Sequence, residues 1–252
     1  MTKNITKRPL FKAIIFGLVS TIFMIIAGTI IDLMKLEPGN IYFLLIHTFW
    51  VCISIIVGIM VIRKLERKFV EIGIRRIEKN TLKNAFYLIP FFIIVMLPVF
   101  AGFDKNIDTC KIILFWVIHY IVVGIHEEFY FRGIILSLFK DNLKKAIIIP
   151  SIIFGMVHIS NLTNFYFTGF TYSDILGLVE QIVFAFIIGV VYAEVVLITK
   201  SILPVIFFHA MYDLTVTISN NYFIIGSIQW LLLIIYAIVM WLKLFKESPN
   251  CT

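Results

Sequence analysis

The segment 112–139 reads IILFWVIHYIVVGIHEEFYFRGIILSLF, a long apolar run with charged residues near its middle. A transmembrane helix needs about 20 mostly apolar residues to cross a hydrocarbon core of about 30 Å, so this run is long enough to span a bilayer. A charge at the centre of such a helix costs at least ~2.5 kcal/mol. The presence of Glu127, Glu128 and Arg132 therefore indicates a functional site inside the membrane.

Seven more apolar segments accompany this one in the 252-residue chain, of which 61% is hydrophobic and 15% charged. They are 11–34, 41–62, 82–102, 146–159, 175–198, 202–218 and 222–244. We therefore expect an all-α, polytopic integral membrane protein with about eight transmembrane helices. Residues 1–252 are predicted to form a single membrane domain, with a motif-bearing core at about 112–218.

The basic residues follow the positive-inside rule, by which Lys and Arg concentrate in cytoplasmic loops. Of the 22 lysines and arginines, all but Lys35, Lys105, Lys111 and Arg132 fall on one side of the predicted bundle. Both termini are therefore predicted to be cytoplasmic. The net charge of +7 is assigned to contacts with the lipid bilayer and not to nucleic acid, because the basic clusters separate apolar segments.

The longest basic loop, 63–83, alternates charged residues with Leu65, Phe69, Ile72 and other apolar residues. This pattern is compatible with an amphipathic helix on the anionic inner leaflet. A solvated loop is the alternative interpretation.

The two adjacent glutamates of the fourth segment, Glu127 and Glu128, are predicted to have different roles. Glu128 and Arg132 are four residues apart and share a helical face, so we expect a salt bridge between them. Glu127 lies about 100° around the helix and has no such cationic partner. It is the candidate general base. The alternative is that all three residues only hold helices together.

Two later segments carry histidine motifs. Phe154 and His158 share one helical face, and Gly155 between them permits close approach of another helix. His209 and Asp213 have the same spacing and could form a hydrogen-bonded pair or supply two metal ligands. A histidine in a membrane helix can equally serve as an interhelical hydrogen-bonding residue.

Carboxylates and imidazoles from the fourth, fifth and seventh segments are predicted to converge on one water-filled cavity. They could hold a hydrolytic water by hydrogen bonds. They could instead bind Zn²⁺ through His158, His209 and Glu127 with one coordination position open. The sequence contains neither HExxH nor GxSxG, so a zincin-type site is not supported.

Other ionisable residues in the apolar segments are assigned no catalytic role. His126 flanks the acidic pair but is predicted to point elsewhere, and His47 and His119 are interpreted as packing residues. Glu194 is placed near a helix end, where headgroup water is close.

Taken in order, EExxxR at 127–132, FxxxH at 154–158 and HxxxD at 209–213 resemble the motifs of the CPBP family. That family unites type II CAAX prenyl endopeptidases with bacterial bacteriocin-processing and immunity proteases. The resemblance implies an intramembrane endopeptidase, of a kind commonly labelled metalloprotease, although a metal-free mechanism has also been argued for it. Glu128 and Arg132 match the supporting part of the first motif.

The resemblance also implies roles for the other motif residues. Glu127 and His158 would activate water, while His209 and Asp213 would stabilise the tetrahedral oxyanion. In the resemblance, the eukaryotic prenyl-protein members more often have Asn at the last position of the third motif, where this chain has Asp213. The role of Asp213 therefore stays open between a protonated acid, a carboxylate that orients His209, and a metal ligand.

The sequence thus predicts an endopeptidase of the bacterial plasma membrane that cleaves a membrane-associated peptide or protein. Peptide maturation and bacteriocin self-immunity are the predicted roles. One alternative is a non-catalytic immunity protein that binds a peptide. Another is a proton-coupled transporter, because intramembrane Glu, His and Asp chains also relay protons, but no inverted repeat supports it.

Overall fold

The computed structural model describes residues 8–36, 40–77, 86–104, 110–165, 171–220 and 223–247. Within these ranges the chain forms α1 Pro9–Leu33, α2 Ile41–Lys64, α3 Leu88–Met96, α4 Cys110–Glu128, α5 Leu143–Val157, α6 Tyr172–Thr199, α7 Leu203–Ile218 and α8 Phe223–Glu247. The described residues contain no strand beyond an isolated bridge between Phe103 and Ser219. The all-α prediction is confirmed, and each predicted apolar segment overlaps one of these helices.

Six helical stretches of the described chain are long and apolar enough to cross a membrane. They are Pro9–Leu33, Ile41–Lys64, Ile113–Ile135, Leu143–Leu162, Tyr172–Thr199 and Ile224–Lys246. Two shorter apolar stretches, Leu88–Ala101 and Leu203–Ile218, complete the set. The protein is therefore a polytopic membrane protein. The predicted cytoplasmic position of the termini concerns residues 1–7 and 248–252, which lie outside the described ranges.

Local sequence fixes where several helices begin. The side chains of Asn40 and Asn142 accept backbone N–H groups at the starts of α2 and α5. Thr171 and Asp174 form a reciprocal capping box at the start of α6, and Pro204 occupies the first turn of α7. These groups satisfy N–H donors that the first turn of a helix leaves unpaired, and proline has no such donor to lose.

Glycines bring the motif-bearing helices together. The packing pairs α5 with α6 and α4 with α7. A Cβ atom at Gly124 would lie 3.0 Å from the Ile206 carbonyl oxygen of α7, and one at Gly155 would lie 2.9 Å from the Ile182 carbonyl oxygen of α6. The prediction that Gly155 permits close approach of a neighbouring helix is confirmed. These contacts set the distances between the helices that carry the site.

The basic loop does not form the predicted surface helix between residues 65 and 77. It contains a short 3₁₀ turn, Phe69–Ile72, and Ile72 is buried. The Gly73 carbonyl accepts the backbone N–H of Ile202 at 2.9 Å. Ile72 also lies beside Gly133, where a Cβ atom would be 3.3 Å from the Ile72 carbonyl oxygen. The loop folds inward because this apolar residue reaches the helix core; residues 78–83 lie outside the described ranges.

Replacing Gly155 with leucine is expected to separate α5 from α6, because the new side chain meets the rigid backbone of α6. Overpacking of this kind costs about 1–3 kcal/mol. Gly177→Leu on α6 is the matched control, since a Cβ atom there meets nothing within 4 Å. Thermal unfolding in detergent should show a lower midpoint for Gly155→Leu and an unchanged one for Gly177→Leu. Equal midpoints would contradict the close helix contact.

Candidate active site

The acidic motif lies where α4 changes into a π-helix. The α-helix ends at Glu128 and the π-helical segment covers Phe129–Ile135, all of it buried. Wide turns of this kind are rare and are frequent at functional sites. The EExxxR motif thus spans the change in helical geometry, with both glutamates in α4 and Arg132 in the π-helix.

Glu128 holds the centre of the site together. Its Oε1 atom accepts a hydrogen bond from Nη1 of Arg132 at 3.1 Å and one from Nδ1 of His209 at 2.8 Å. The side chains of Glu128 and Arg132 are fully buried. The predicted salt bridge is confirmed, whereas the bond to His209 was not predicted. Through it, one carboxylate oxygen connects α4 with α7.

Aromatic rings surround the buried Arg132 guanidinium. Its Cζ atom lies 4.2 Å from the ring centroid of Phe154 and 5.2 Å from that of Tyr192. Cations over aromatic faces are attracted by the ring quadrupole, most strongly where water is excluded. Gly189 makes room for this arrangement, because a Cβ atom there would lie 3.1 Å from Nη2 of Arg132. Phe154 of the FxxxH motif therefore packs against the Arg132 guanidinium and stabilises its charge.

His209 faces carboxylates with both of its ring nitrogens. While Nδ1 bonds to Glu128, Nε2 lies 3.5 Å from Oε2 of Glu127 and 3.6 Å from Oδ2 of Asp213. Both of these latter distances exceed the usual N–H···O range of about 2.7–3.2 Å. The two motif residues are adjacent, but the predicted His209–Asp213 hydrogen bond is not formed. Because a carboxylate can only accept, Nδ1 carries a proton, and Nε2 is the ring nitrogen that faces Glu127 and Asp213.

His158 ends α5 with its ring oriented by the FxxxH motif. Its Nδ1 atom lies 2.7 Å from the Phe154 carbonyl oxygen, and its ring meets the Phe154 ring edge to face. Since a carbonyl can only accept, Nδ1 carries the proton. In the neutral imidazole the lone pair is then on Nε2. The shared face predicted for Phe154 and His158 is confirmed.

A cavity of about 50 Å³ adjoins the site. It is lined by Ser20, Thr21, Met24, His126, Glu127, Phe131, Val157, His158, Ser160 and Asn161. A cavity of this size has room for water, and Glu127 and His158 supply polar partners for it. Glu127 and His158 share it, as predicted. The prediction was wrong about the helices, because α1 forms one wall and α7 does not line the cavity.

His126 also lines this cavity, so the prediction that it points elsewhere was wrong. Its Nε2 atom lies 2.9 Å from Oγ of Ser54, a buried residue of α2. Helical spacing measured from Glu127 could not show this, since the cavity wall depends on where α1 and α2 pack. The hydroxyls of Ser20 and Thr21, close to Gly17 in an apolar segment, were the available sequence signal for a helix contact.

The described residues do not place three His, Cys, Asp or Glu side chains at the spacing needed to hold a metal ion. The Nδ1 atoms of His158 and His209 are both hydrogen-bonded, so only the Nε2 atoms of these two rings could bind a metal. The zinc set of Glu127, His158 and His209 is therefore not assembled in this geometry.

The segment of the chain that carries all three motifs, residues 109–215, was matched by one family model. That model describes the Rce1-like type II CAAX prenyl endopeptidases. The predicted family resemblance is confirmed over this segment, which begins beside α4 and extends into α7. No curated protein and no solved structure matched the chain. The family description names an endopeptidase, so protease activity is the reaction class that this match implies.

Removing the Glu128 carboxylate is expected to destabilise the protein strongly. In Glu128→Leu the buried guanidinium of Arg132 loses its ion-pair partner, and breaking a buried pair in this way costs about 3–5 kcal/mol. The double variant Glu128→Leu/Arg132→Met removes both charges and should recover part of the loss. Thermal unfolding in detergent measures both. Unchanged midpoints in the single variant would show that this carboxylate does not connect the helices.

Proposed function

We propose that this protein is an intramembrane endopeptidase that hydrolyses a peptide bond in a membrane-associated protein or peptide. One observation carries the proposal: Glu127 of α4 and His158 at the end of α5 line the same cavity inside a bundle of membrane-spanning helices. A carboxylate and an imidazole beside a water-sized space are the groups that activate water for hydrolysis. The match to a family of endopeptidases supports the same reaction.

In the proposed reaction a water molecule occupies the cavity between Glu127 and His158. The Nε2 lone pair of His158 accepts one hydrogen bond from it, while the Glu127 carboxylate takes the proton. Because the carboxylate is 16% exposed and lacks a short ion pair, it is available to the water in a way that the fully buried Glu128 is not. The resulting hydroxide attacks the carbonyl carbon of the scissile peptide bond.

The negative charge that develops on the carbonyl oxygen meets His209. Its Nε2–H group is too far from Glu127 and Asp213 for a hydrogen bond to either carboxylate. The group can therefore donate to the oxyanion. Glu128 fixes the orientation of the ring through Nδ1. In the proposed reaction the ring is an imidazolium, so Nε2 carries the proton that it donates. Asp213 then acts as a carboxylate that supports the imidazolium. Glu127 returns its proton to the leaving amine as the C–N bond breaks.

We also propose a membrane and a biological role for this activity. The enzyme acts in the bacterial plasma membrane, where the substrate reaches the site from the lipid phase. Peptide maturation and bacteriocin self-immunity are the two roles that we propose for the cleavage. The zinc-dependent form of the reaction stays a prediction.

Glu127→Gln should abolish peptide cleavage while leaving the protein folded and inserted. The amide keeps the shape of the side chain but cannot take a proton from water, and losing a general base lowers rates by about 10²–10⁴-fold. Mass spectrometry of membrane peptides from cells with the parent or variant protein measures this, with uncleaved substrate accumulating in the variant. Glu71→Gln, at an exposed glutamate of the basic loop, is the matched control and should give the parental peptides.

Identical peptide sets from the parent and a correctly inserted Glu127→Gln variant would remove this carboxylate from the chemistry. A non-catalytic immunity protein would give that result and would also keep its protective effect. Loss of protection together with the accumulated substrate would instead connect cleavage to immunity.

A further inference from the structure

A wide apolar groove of about 630 Å³ runs between α1 and α5. On α1 its lining extends from Leu10 to Ile25, a distance of about 22 Å at 1.5 Å per helical residue. The opposite wall begins at Ile149 of α5 and ends at Ser160. Leu18 and Met156 on the two walls are 64% and 51% exposed, so the groove is on the outer surface of the bundle. In a membrane this surface faces lipid.

The groove adjoins the catalytic cavity. Thr21, Val157 and Ser160 line both spaces. The rest of the groove lining is apolar apart from Gly17, and it contains no charged residue. One end of an elongated apolar molecule in the groove would therefore lie beside the space that Glu127 and His158 line.

We propose that this groove binds an apolar, membrane-embedded segment of the peptide substrate next to the scissile bond. The inference rests on the proposed endopeptidase function and names its substrate class. The groove covers most of a hydrocarbon core of about 30 Å, which suits a segment that lies along the helices. The absence of charge in its lining selects an uncharged segment over a soluble, charged peptide.

The polar junction favours a peptide over a lipid chain as the occupant. Where a substrate unwinds to present its scissile bond, backbone N–H groups lose their partners, which is costly in hydrocarbon. The Thr21 hydroxyl donates to the Gly17 carbonyl at 2.8 Å, and its oxygen can still accept a hydrogen bond. A peptide N–H gains from this acceptor at the boundary between groove and cavity. A hydrocarbon chain has no donor and gains nothing from it.

Photo-crosslinking of the full chain in lipid nanodiscs tests the proposal. Leu18→p-benzoylphenylalanine and Met156→p-benzoylphenylalanine place the reactive group in the groove, and Glu127→Gln in the same chain prevents turnover. Leu231→p-benzoylphenylalanine is the matched control, because Leu231 of α8 is 59% exposed and outside the groove lining. The probe is a biotinylated synthetic peptide with an apolar leucine–alanine core of about 20 residues.

We expect about tenfold more peptide adduct at positions 18 and 156 than at 231, a ratio equivalent to about 1.4 kcal/mol of preference. A soluble, charged peptide of the same length should give no excess in the groove. Equal peptide adducts at all three positions would overturn the proposal. So would lipid acyl adducts at 18 and 156 that the peptide does not displace.

Cleavage of the same peptide by the chain with Glu127 intact is followed separately by mass spectrometry. Glu127-dependent cleavage without biased crosslinking would overturn the groove and leave the endopeptidase function standing. Biased crosslinking without cleavage would support the groove as a peptide-binding surface and count against the proposed reaction on this substrate.

Discussion

The site depends on one buried carboxylate oxygen. Oε1 of Glu128 bonds to Arg132 within its own helical segment and to His209 on α7, so a single atom fixes an ion pair and a helix contact. A buried charge is tolerated only when it is paired, and three aromatic rings around the guanidinium supply further attraction. Sliding α4 against α7 would separate Glu128 from His209, so this contact opposes such a displacement.

This arrangement separates the two glutamates by environment although they are neighbours in sequence. Glu128 is committed to structure, while Glu127 faces the cavity and is partly exposed. His209 is oriented by the first and lies beside the second. One carboxylate therefore orients the imidazole, and the adjacent carboxylate faces the cavity. In the hydrolysis that we propose, this separation leaves Glu127 available to take a proton from water.

The motif residues and the apolar groove involve different parts of the chain. The family match covers residues 109–215, which include all of the motif residues. Helix α1 precedes that segment, yet it contributes Ser20, Thr21 and Met24 to the cavity and one wall of the apolar groove. The family match thus covers the motif residues, whereas one wall of the cavity and one wall of the groove belong to a helix outside the matched segment.

The helices, the Glu128–Arg132 pair and the membrane setting can be predicted from the amino-acid sequence, because each follows from apolar run length or from spacing within one helix. The packing of the helices is needed to learn that Glu128 orients His209, that Phe154 covers Arg132 and that α1 replaces α7 in the cavity wall. These contacts join residues far apart in sequence. They depend on how helices rotate and pack against one another, which the periodicity of each helix taken alone does not specify.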